Sequence, residues 1–223
     1  MRPEVERDSQ DAGQDAPPEV ITKGLLVDFG GVLTTNVFES FKAFCTAEGL
    51  EPDAFVTLFR SDPDARRELR RVETGEITEE EFSEILGGML GVADHENLVN
   101  RLFAGMRADE PMVEAVRRAK RAGVRTGLIS NSIGAGRYDR STFPELFNAV
   151  VISAEERMHK PQPEIYRLGA ERAGLAPEEC VFVDDLRENC EGAEAVGMRA
   201  VLHRGVDTTI PQLEELLGVV LSS

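Results

Sequence analysis

Polar residues at the ends of several apolar stretches carry groups that suit the handling of an anionic substrate. These groups are a lone carboxylate, a hydroxyl beside an amide, an ammonium and two adjacent carboxylates, and they belong to Asp28, Ser130 and Asn131, Lys160, and Asp184 and Asp185. A carboxylate can act as a nucleophile, whereas hydroxyl, amide and ammonium groups can hold and neutralise an oxyanion. Acidic oxygens are the ligands that a hard cation prefers. The set is therefore chemically coherent as one site.

Each residue type also has a structural interpretation. A strand-terminal aspartate often caps a helix, a Ser-Asn pair often forms a turn, and lysine is usually exposed. The pair Asp184 and Asp185 is harder to explain in this way, because adjacent carboxylates repel each other unless a cation or hydrogen-bond donors compensate. A common position at one edge of a sheet favours the functional interpretation for all of them.

Five short apolar runs predict the strands of that sheet. They are ITKGLLVDF, VRTGLIS, NAVVIS, CVFVDD and MRAVLH. A stretch with helical spacing of apolar residues precedes each of the last four runs. Alternation of strand and helix is typical of a parallel sheet covered on both faces. We therefore predict a doubly wound, Rossmann-like α/β fold, in which ligands bind outside the carboxyl ends of the strands.

Between the first two predicted strands lies a block of about 70 residues with helical periodicity, which is far longer than an ordinary connection between a strand and a helix. Within this block, Thr78 and Glu81 have the spacing of a capping box. We predict a helical insertion over residues 36–105, and an α/β core formed by residues 21–35 and 106–223.

The composition limits the partners and the compartment. A net charge of -16 over 223 residues disfavours nucleic acids and anionic membranes as partners. Three widely spaced cysteines, Cys45, Cys180 and Cys190, predict buried reduced thiols rather than a metal site. No apolar run reaches the roughly 20 residues of a membrane span, and residues 1–20 predict a disordered acidic tail rather than a signal peptide. We expect a cytoplasmic monomer or homodimer that acts on a small molecule.

The order of four segments resembles the motifs of the haloacid dehalogenase superfamily. The segments are LLVDFGGVLTT, LISNS, MHKPQPEIY and FVDDLREN. The helical insertion after the first segment, and the stretch GEITEEEF within it, are similar to members with a helical cap, such as the phosphatase half of soluble epoxide hydrolases. The resemblance implies a HAD-like α/β core with its active site between core and cap.

The resemblance also implies catalytic roles. Asp28 would be the nucleophile that takes the transferred group as an aspartyl ester. Ser130 and Asn131 would hold the phosphoryl oxygens of a small phosphorylated metabolite, and Lys160 would pair with both the phosphoryl group and Asp28.

A magnesium site is implied in the same way. Mg²⁺ would be bound by Asp28, the backbone oxygen of Gly30 and Asp185. Asp184 would be either a further ligand or a support for the ligands, and Asn189 would orient this loop.

Gly30 departs from the usual motif. Most phosphatases of the superfamily have D-x-D here, and the second aspartate protonates the leaving oxygen and then activates water. Glycine cannot transfer a proton, a function that typically contributes about 10²–10⁴-fold to the rate. A D-x-G subgroup that contains sugar-phosphate phosphatases shares this departure. A phosphatase of this kind would rely on a good leaving group, on a carboxylate or histidine from elsewhere, or on a water held near Gly30.

Three functions therefore stay open, namely a phosphatase, a 2-haloacid dehalogenase and a non-catalytic binding protein. The resemblance implies that dehalogenases need no magnesium and lack an acidic pair such as Asp184 and Asp185. We therefore expect a magnesium-dependent hydrolase of small phosphomonoesters, whose specificity residues lie in the cap.

Three weaker signals have simpler structural interpretations. The arginines of ARRELRR could hold a second anionic group, but a solvated charged face is favoured. His159 could supply the missing proton transfer, but a loop position is favoured. The glycine-rich stretch SIGAGRYDRS lies where it could touch substrate, but it lacks the lysine of a P-loop.

Overall fold

The computed structural model describes residues 21–133 and 138–222. The predicted acidic tail and part of the glycine-rich stretch therefore lie outside the described residues. Among the described residues, no helix combines the length and the apolar character that a membrane span requires. Cys45, Cys180 and Cys190 are buried free thiols, as predicted.

The described residues form one parallel sheet of five strands, as the apolar runs predict. The strands are β1 (Gly24–Val27), β2 (Arg125–Ser130), β3 (Ala149–Ile152), β4 (Cys180–Asp184) and β5 (Arg199–Leu202), in the order β3-β2-β1-β4-β5. Every neighbouring pair is parallel. Because β1 lies between β2 and β4, its carboxyl end is the centre of the edge where the polar residues meet.

Both faces of the sheet are covered by helices, which explains why the strands are apolar almost throughout. The flanking helices are α6 (Glu110–Arg121), α7 (Phe143–Leu146), α8 (Ser153–Glu156), α9 (Pro163–Ala173), α10 (Arg187–Glu194) and α11 (Val206–Leu217), with a short 3₁₀ turn at Pro177–Glu179. Successive residues of a strand point to opposite faces. Leu25 and Val27 accordingly pack with one apolar core, while Leu26 packs with the other. This arrangement confirms the doubly wound α/β prediction.

The segment between β1 and α6 is helical in the described structure. It contains α1 (Val37–Ala47), α2 (Ala54–Ser61), α3 (Pro63–Glu73), α4 (Glu79–Leu90) and α5 (Leu98–Leu102). These helices share an apolar core of their own, which includes Phe41, Phe44, Phe82, Leu86 and Leu98. A separate core gives this segment its own packing above the sheet edge.

The start of α4 confirms the predicted capping box. The backbone N–H of Glu81 donates to Thr78 Oγ1 at 3.1 Å, and the backbone N–H of Thr78 donates to Glu81 Oε2 at 2.7 Å. Two N–H groups that the helix leaves without intrahelical partners are thus satisfied. The cap fixes where α4 begins after the turn that follows α3.

Candidate active site

Lys160 joins two carboxylates at the centre of the sheet edge. Its Nζ lies 2.7 Å from Asp28 Oδ1 and 2.7 Å from Asp184 Oδ2. Asp28 directly follows β1, where its N–H donates to the carbonyl of Val183 at 2.9 Å, and Asp184 ends β4. Lys160 is 3% exposed and Asp184 is fully buried. The structure thus brings together three of the residues that the sequence singles out.

Burial and mutual charge shift the ionisation of these groups. Burial raises the pKa of Asp28 to about 7, against the opposing effect of the Lys160 ammonium. Burial alone would lower the pKa of Lys160, but the Asp184 and Asp28 carboxylates raise it above the ordinary lysine value. Burial and the charge of Asp184 raise the pKa of Asp185 to about 6. The lysine is therefore a permanent cation beside carboxylates that repel one another.

The Asp184 carboxylate is held by donors from the loop that follows it. The N–H of Leu186 donates to Oδ1 at 2.9 Å, and Nδ2 of Asn189 donates to Oδ1 and Oδ2 at 3.0 and 3.1 Å. With Lys160 on Oδ2, both oxygens of Asp184 have partners. Asp184 is thereby suited to anchoring the lysine and this loop, and Asn189 orients that anchor.

Asp28, Asp184 and Asp185 form an acidic triad, whose ligand oxygens lie within 4.8 Å of one another. Three carboxylates with one ammonium leave a net negative charge, and their oxygens match the ligands of a hard divalent cation. The donor set therefore fits Mg²⁺. The close approach depends on Gly31, which has a φ of 75° and whose Cβ, if present, would lie 2.4 Å from Asp185 Oδ2.

Ser130 ends β2 and Asn131 follows it, and both line the same cavity as Asp28. Ser130 is 2% exposed, and its Oγ accepts a hydrogen bond from the hydroxyl of Tyr138 at 2.9 Å. Asn131 binds the backbone of Lys160 in both directions, accepting from its N–H at 2.8 Å and donating to its carbonyl at 3.2 Å. The Asn131 side chain therefore fixes the loop that carries the lysine.

A cavity of about 310 Å³ lies between the sheet edge and the helices α1–α3. Its polar end contains Asp28, Gly30, Ser130, Lys160 and Asp185. The size lies at the lower end of the range for small-molecule sites. The predicted site residues other than the fully buried Asp184 thus line one cavity that a small molecule could enter.

Two titratable residues of the cavity, Glu73 and Tyr138, are not singled out individually by any pattern in the sequence. Glu73 is the last residue of α3, and burial raises its pKa to about 7. Tyr138 lies in the glycine-rich stretch, and its ring contacts Phe29 edge-on with centroids 4.9 Å apart. The weak substrate-contact signal of that stretch points to Tyr138. For Glu73, one of many acids on an amphipathic helix, the sequence has no comparable signal.

The weaker candidates lie elsewhere. Arg67 pairs with Asp64 and Glu68 on α3, in keeping with a charged solvent face. His159 contacts the carbonyl of Lys160 through Nδ1 at 2.8 Å. Neither Arg67 nor His159 is among the described residues that line the cavity.

Comparison with known proteins agrees with this architecture. A family model described as haloacid dehalogenase-like hydrolase matches residues 22–197. The chain is 28% identical over 173 residues to bifunctional epoxide hydrolase 2 of Sus scrofa, covering 68% of this chain and 31% of that protein. It is 27% identical over 213 residues to hexitol phosphatase A of Escherichia coli, covering 87% of this chain and 88% of that protein. The chain spans less than a third of the length of several curated relatives.

A solved structure shows the same fold. A HAD family enzyme of Bacteroides thetaiotaomicron, crystallised as a magnesium complex, is 25% identical with a TM-score of 0.58. The match covers 82% of this chain and 93% of that chain.

Proposed function

Because the chain belongs to the haloacid dehalogenase-like hydrolase family, we propose that it is a magnesium-dependent hydrolase of small phosphomonoesters. The observation that carries this proposal is the buried Lys160, which pairs with the carboxylate of Asp28 within the acidic triad and at the floor of a cavity. The likeness to a protein named hexitol phosphatase A supports the same reaction class. The magnesium complex of a similar structure supports the choice of cation.

The chemistry begins with the nucleophile. Asp28 attacks the phosphorus, the bond to the leaving oxygen breaks, and an aspartyl-phosphate forms. Lys160 and the hydroxyl of Ser130 neutralise and orient the phosphoryl oxygens. Attack of water on phosphorus then releases phosphate and restores Asp28.

The acidic residues would hold the cation. Asp28, Asp185 and the backbone oxygen of Gly30 are the proposed magnesium ligands, with Asp184 supporting them through Lys160. Bound Mg²⁺ would neutralise phosphoryl charge and orient the substrate. Asn189 keeps the Asp184 carboxylate in place for this arrangement.

The helical segment would act as a cap. We assign residues 36–105 to this cap, and residues 21–35 and 106–223 to the core. One wall of the cavity is formed by α1–α3, so the cap can exclude water from the phosphoryl group and select the leaving group.

The acidic triad favours phosphoryl transfer over carbon–halogen cleavage. A halide leaves as an anion without a cation's help, and three clustered carboxylates would repel it. A bound cation changes that balance and suits a phosphate ester.

Release of inorganic phosphate from a panel of phosphate esters, with and without Mg²⁺, tests the proposal. Wild type should release phosphate only with Mg²⁺, and Asp28→Asn should lose the activity with little change in melting temperature. Asp64→Asn, which removes an exposed carboxylate on α3, should keep wild-type activity. Undiminished turnover by Asp28→Asn, or magnesium-independent turnover by wild type, would contradict the proposed mechanism.

A further inference from the structure

The cavity has a polar floor and an apolar remainder. Its polar floor is formed by side chains at the carboxyl ends of the strands. Between residues 37 and 106, the described lining side chains are apolar except for that of Glu73, and they include Phe38, Phe41, Phe55, Phe59, Leu69 and Phe103. Beyond the phosphoryl site, the cavity is therefore lined mainly by the apolar side chains just named, which we call the apolar wall.

Several of these aromatic rings contact one another. The ring centroids of Phe41 and Phe55 are 4.5 Å apart, those of Phe55 and Phe59 are 4.6 Å apart, and those of Phe41 and Phe103 are 5.3 Å apart. Phe41 and Phe55 are buried, so packing within the helical segment fixes their positions. The wall is therefore preformed, and a ligand can bury apolar surface against it without ordering loose side chains.

The wall discriminates between kinds of alcohol. A sugar or polyol would bring several hydroxyl groups against aromatic and aliphatic carbon, and a polar group buried without a partner is costly. An aliphatic or aromatic group would replace water there with apolar contacts. On the basis of the proposed phosphatase function, we infer that the substrate is the monophosphate ester of an apolar alcohol.

A chain-length series tests this substrate class. With Mg²⁺ present, kcat/KM for unbranched alkyl monophosphates should rise by about fourfold per methylene group until the cavity is filled. Sugar and glycerol phosphates should be poorer substrates than alkyl phosphates of similar size. A flat series, or a sugar phosphate as the best substrate, would overturn the inference and leave the phosphatase function standing. Lack of phosphate release from every ester would overturn both.

A matched pair of variants locates the effect. Leu69→Gln places an amide in the wall, and it should reduce the gain per methylene group. Leu58→Gln alters another half-buried leucine of the helical segment that does not line the cavity, and it should preserve the series. Melting temperatures of both variants report whether either one unfolds. If the two folded variants reduce the gain in kcat/KM per methylene group equally, the apolar side chains around Leu69 do not bind the alkyl chain of the substrate.

A second inference rests on Glu73. In-line transfer places the leaving oxygen on the side of phosphorus opposite Asp28. That side faces the cap, and Glu73 is the charged side chain that the described cap residues contribute to the cavity. We propose that Glu73 is the general acid and base that Gly30 cannot be.

Glu73 would move one proton in each of the two steps of the reaction. As the bond between Asp28 and phosphorus forms and the ester bond breaks, the Glu73 carboxyl group gives its proton to the leaving oxygen, which departs as the alcohol. The Glu73 carboxylate then takes a proton from water as the water oxygen attacks phosphorus. Phosphate leaves, Asp28 is restored as a carboxylate, and Glu73 is protonated again.

The surroundings of Glu73 suit both steps. Burial raises its pKa to about 7, with Lys160 and Arg70 lowering it and Asp28 and Glu188 raising it. A group with a pKa near the working pH can both give and take a proton.

Glu73→Gln tests the role through the leaving group. Turnover of alkyl phosphates, which need a proton on the leaving oxygen, should fall by about 10²–10⁴-fold. An aryl phosphate with an acidic leaving group should still give a burst of product from the first turnover, followed by slow steady-state hydrolysis. Glu76 is an exposed acid in the turn that follows α3, and Glu76→Gln should behave as wild type. Unchanged steady-state turnover, or loss of the burst together with the steady state, would overturn the role.

Rescue at position 30 gives an independent readout. A Cβ at Gly30 would lie 3.3 Å from Val37 Cγ1, so a side chain there needs only a small adjustment. Gly30→Asp combined with Glu73→Gln should recover part of the lost alkyl phosphatase activity. No recovery in a folded double variant, together with a loss for Glu73→Gln that is the same for aryl and alkyl esters, would assign Glu73 a structural role.

Discussion

At the scale of the residue, Lys160 is the counterion of two buried carboxylates. Lys160→Met leaves Asp28 and Asp184 without it, and it should lower the free energy of unfolding by about 3–5 kcal/mol at about pH 8. The loss should be smaller at about pH 5, because burial raises the pKa of Asp28 to about 7 and a protonated Asp28 needs no counterion. Urea unfolding at the two pH values measures the difference.

The control for this prediction is an exposed ion pair. Lys42 pairs with Glu39 on α1, and both side chains are exposed. Lys42→Met should change the free energy of unfolding by less than about 0.5 kcal/mol. A cost for Lys160→Met that is as small as this, or that does not depend on pH, would contradict the buried charge cluster.

The sequence predicts the site residues at the carboxyl ends of the strands, but not those that the helical segment and the glycine-rich stretch contribute to the cavity. Asp28, Ser130 and Asp184 follow or end apolar strands, and parallel strands necessarily bring those ends to one edge. Glu73 reaches the cavity from the end of α3, and only the packing of that helix against the core decides which of its acids turns inward. Tyr138 likewise depends on the path of a loop, which residue types do not specify.

At the scale of the element, the capping box of α4 should have a measurable contribution. Thr78→Ala removes the hydroxyl that accepts from the Glu81 N–H, and it should cost about 1 kcal/mol of stability. Thr57→Ala, at an exposed position on α2, should have an effect within about 0.5 kcal/mol. Urea unfolding of both variants compares the two threonines, and equal costs would show that the capping box of α4 does not stabilise the fold.

Strands and helices with clear sequence patterns could be predicted, and helix α11, which lacks such a pattern, could not. The five strands could be predicted because each contains a short apolar run. The three inner strands β2, β1 and β4 are buried almost throughout, whereas β5 at the edge of the sheet is largely half-buried. Helix α9 begins at Pro163 and is followed by Gly174 in the left-handed conformation, which are common start and stop signals. Helix α11 was not predicted, and it contains Pro211, a residue that usually interrupts a helix.

At the scale of the whole molecule, the acids of the site link stability to pH and to the cation. The pKa values in the folded chain are about 7 for Asp28 and about 6 for Asp185, both above the ordinary value of 3.8. Between the ordinary value and these raised values, the folded chain therefore binds more protons than the unfolded chain. The stability of the metal-free chain falls as the pH rises through this range. Above it, the carboxylates are charged and repel one another.

Mg²⁺ bound at the acidic triad would offset that repulsion. The rise in melting temperature on adding Mg²⁺ should therefore be larger at about pH 8 than at about pH 5. Sodium chloride of equal ionic strength controls for screening, and Asp185→Asn should reduce the rise. A rise that is equal at the two pH values, or that sodium chloride reproduces, would contradict a specific magnesium site.

The overall fold could be predicted because the alternation of strands and helices limits the topology to few arrangements. The cavity could not, since it forms where the separately packed helices α1–α3 face the sheet edge. Its apolar wall combines α1 and α2 with Leu69 of α3 and with Phe103, and no single stretch of sequence contains that pattern.

Asp28 is the proposed acceptor of the phosphoryl group, and trapping that group on the protein is the most direct test of this role. Wild type is mixed with Mg²⁺ and a phosphate ester that it hydrolyses, quenched with acid within the first turnovers, and digested for mass spectrometry. The peptide that contains Asp28 should carry one added phosphoryl group, and Asp28→Asn should show no adduct. Rapid turnover with no adduct on that peptide, or with the adduct on another residue, would contradict the role of Asp28 as nucleophile.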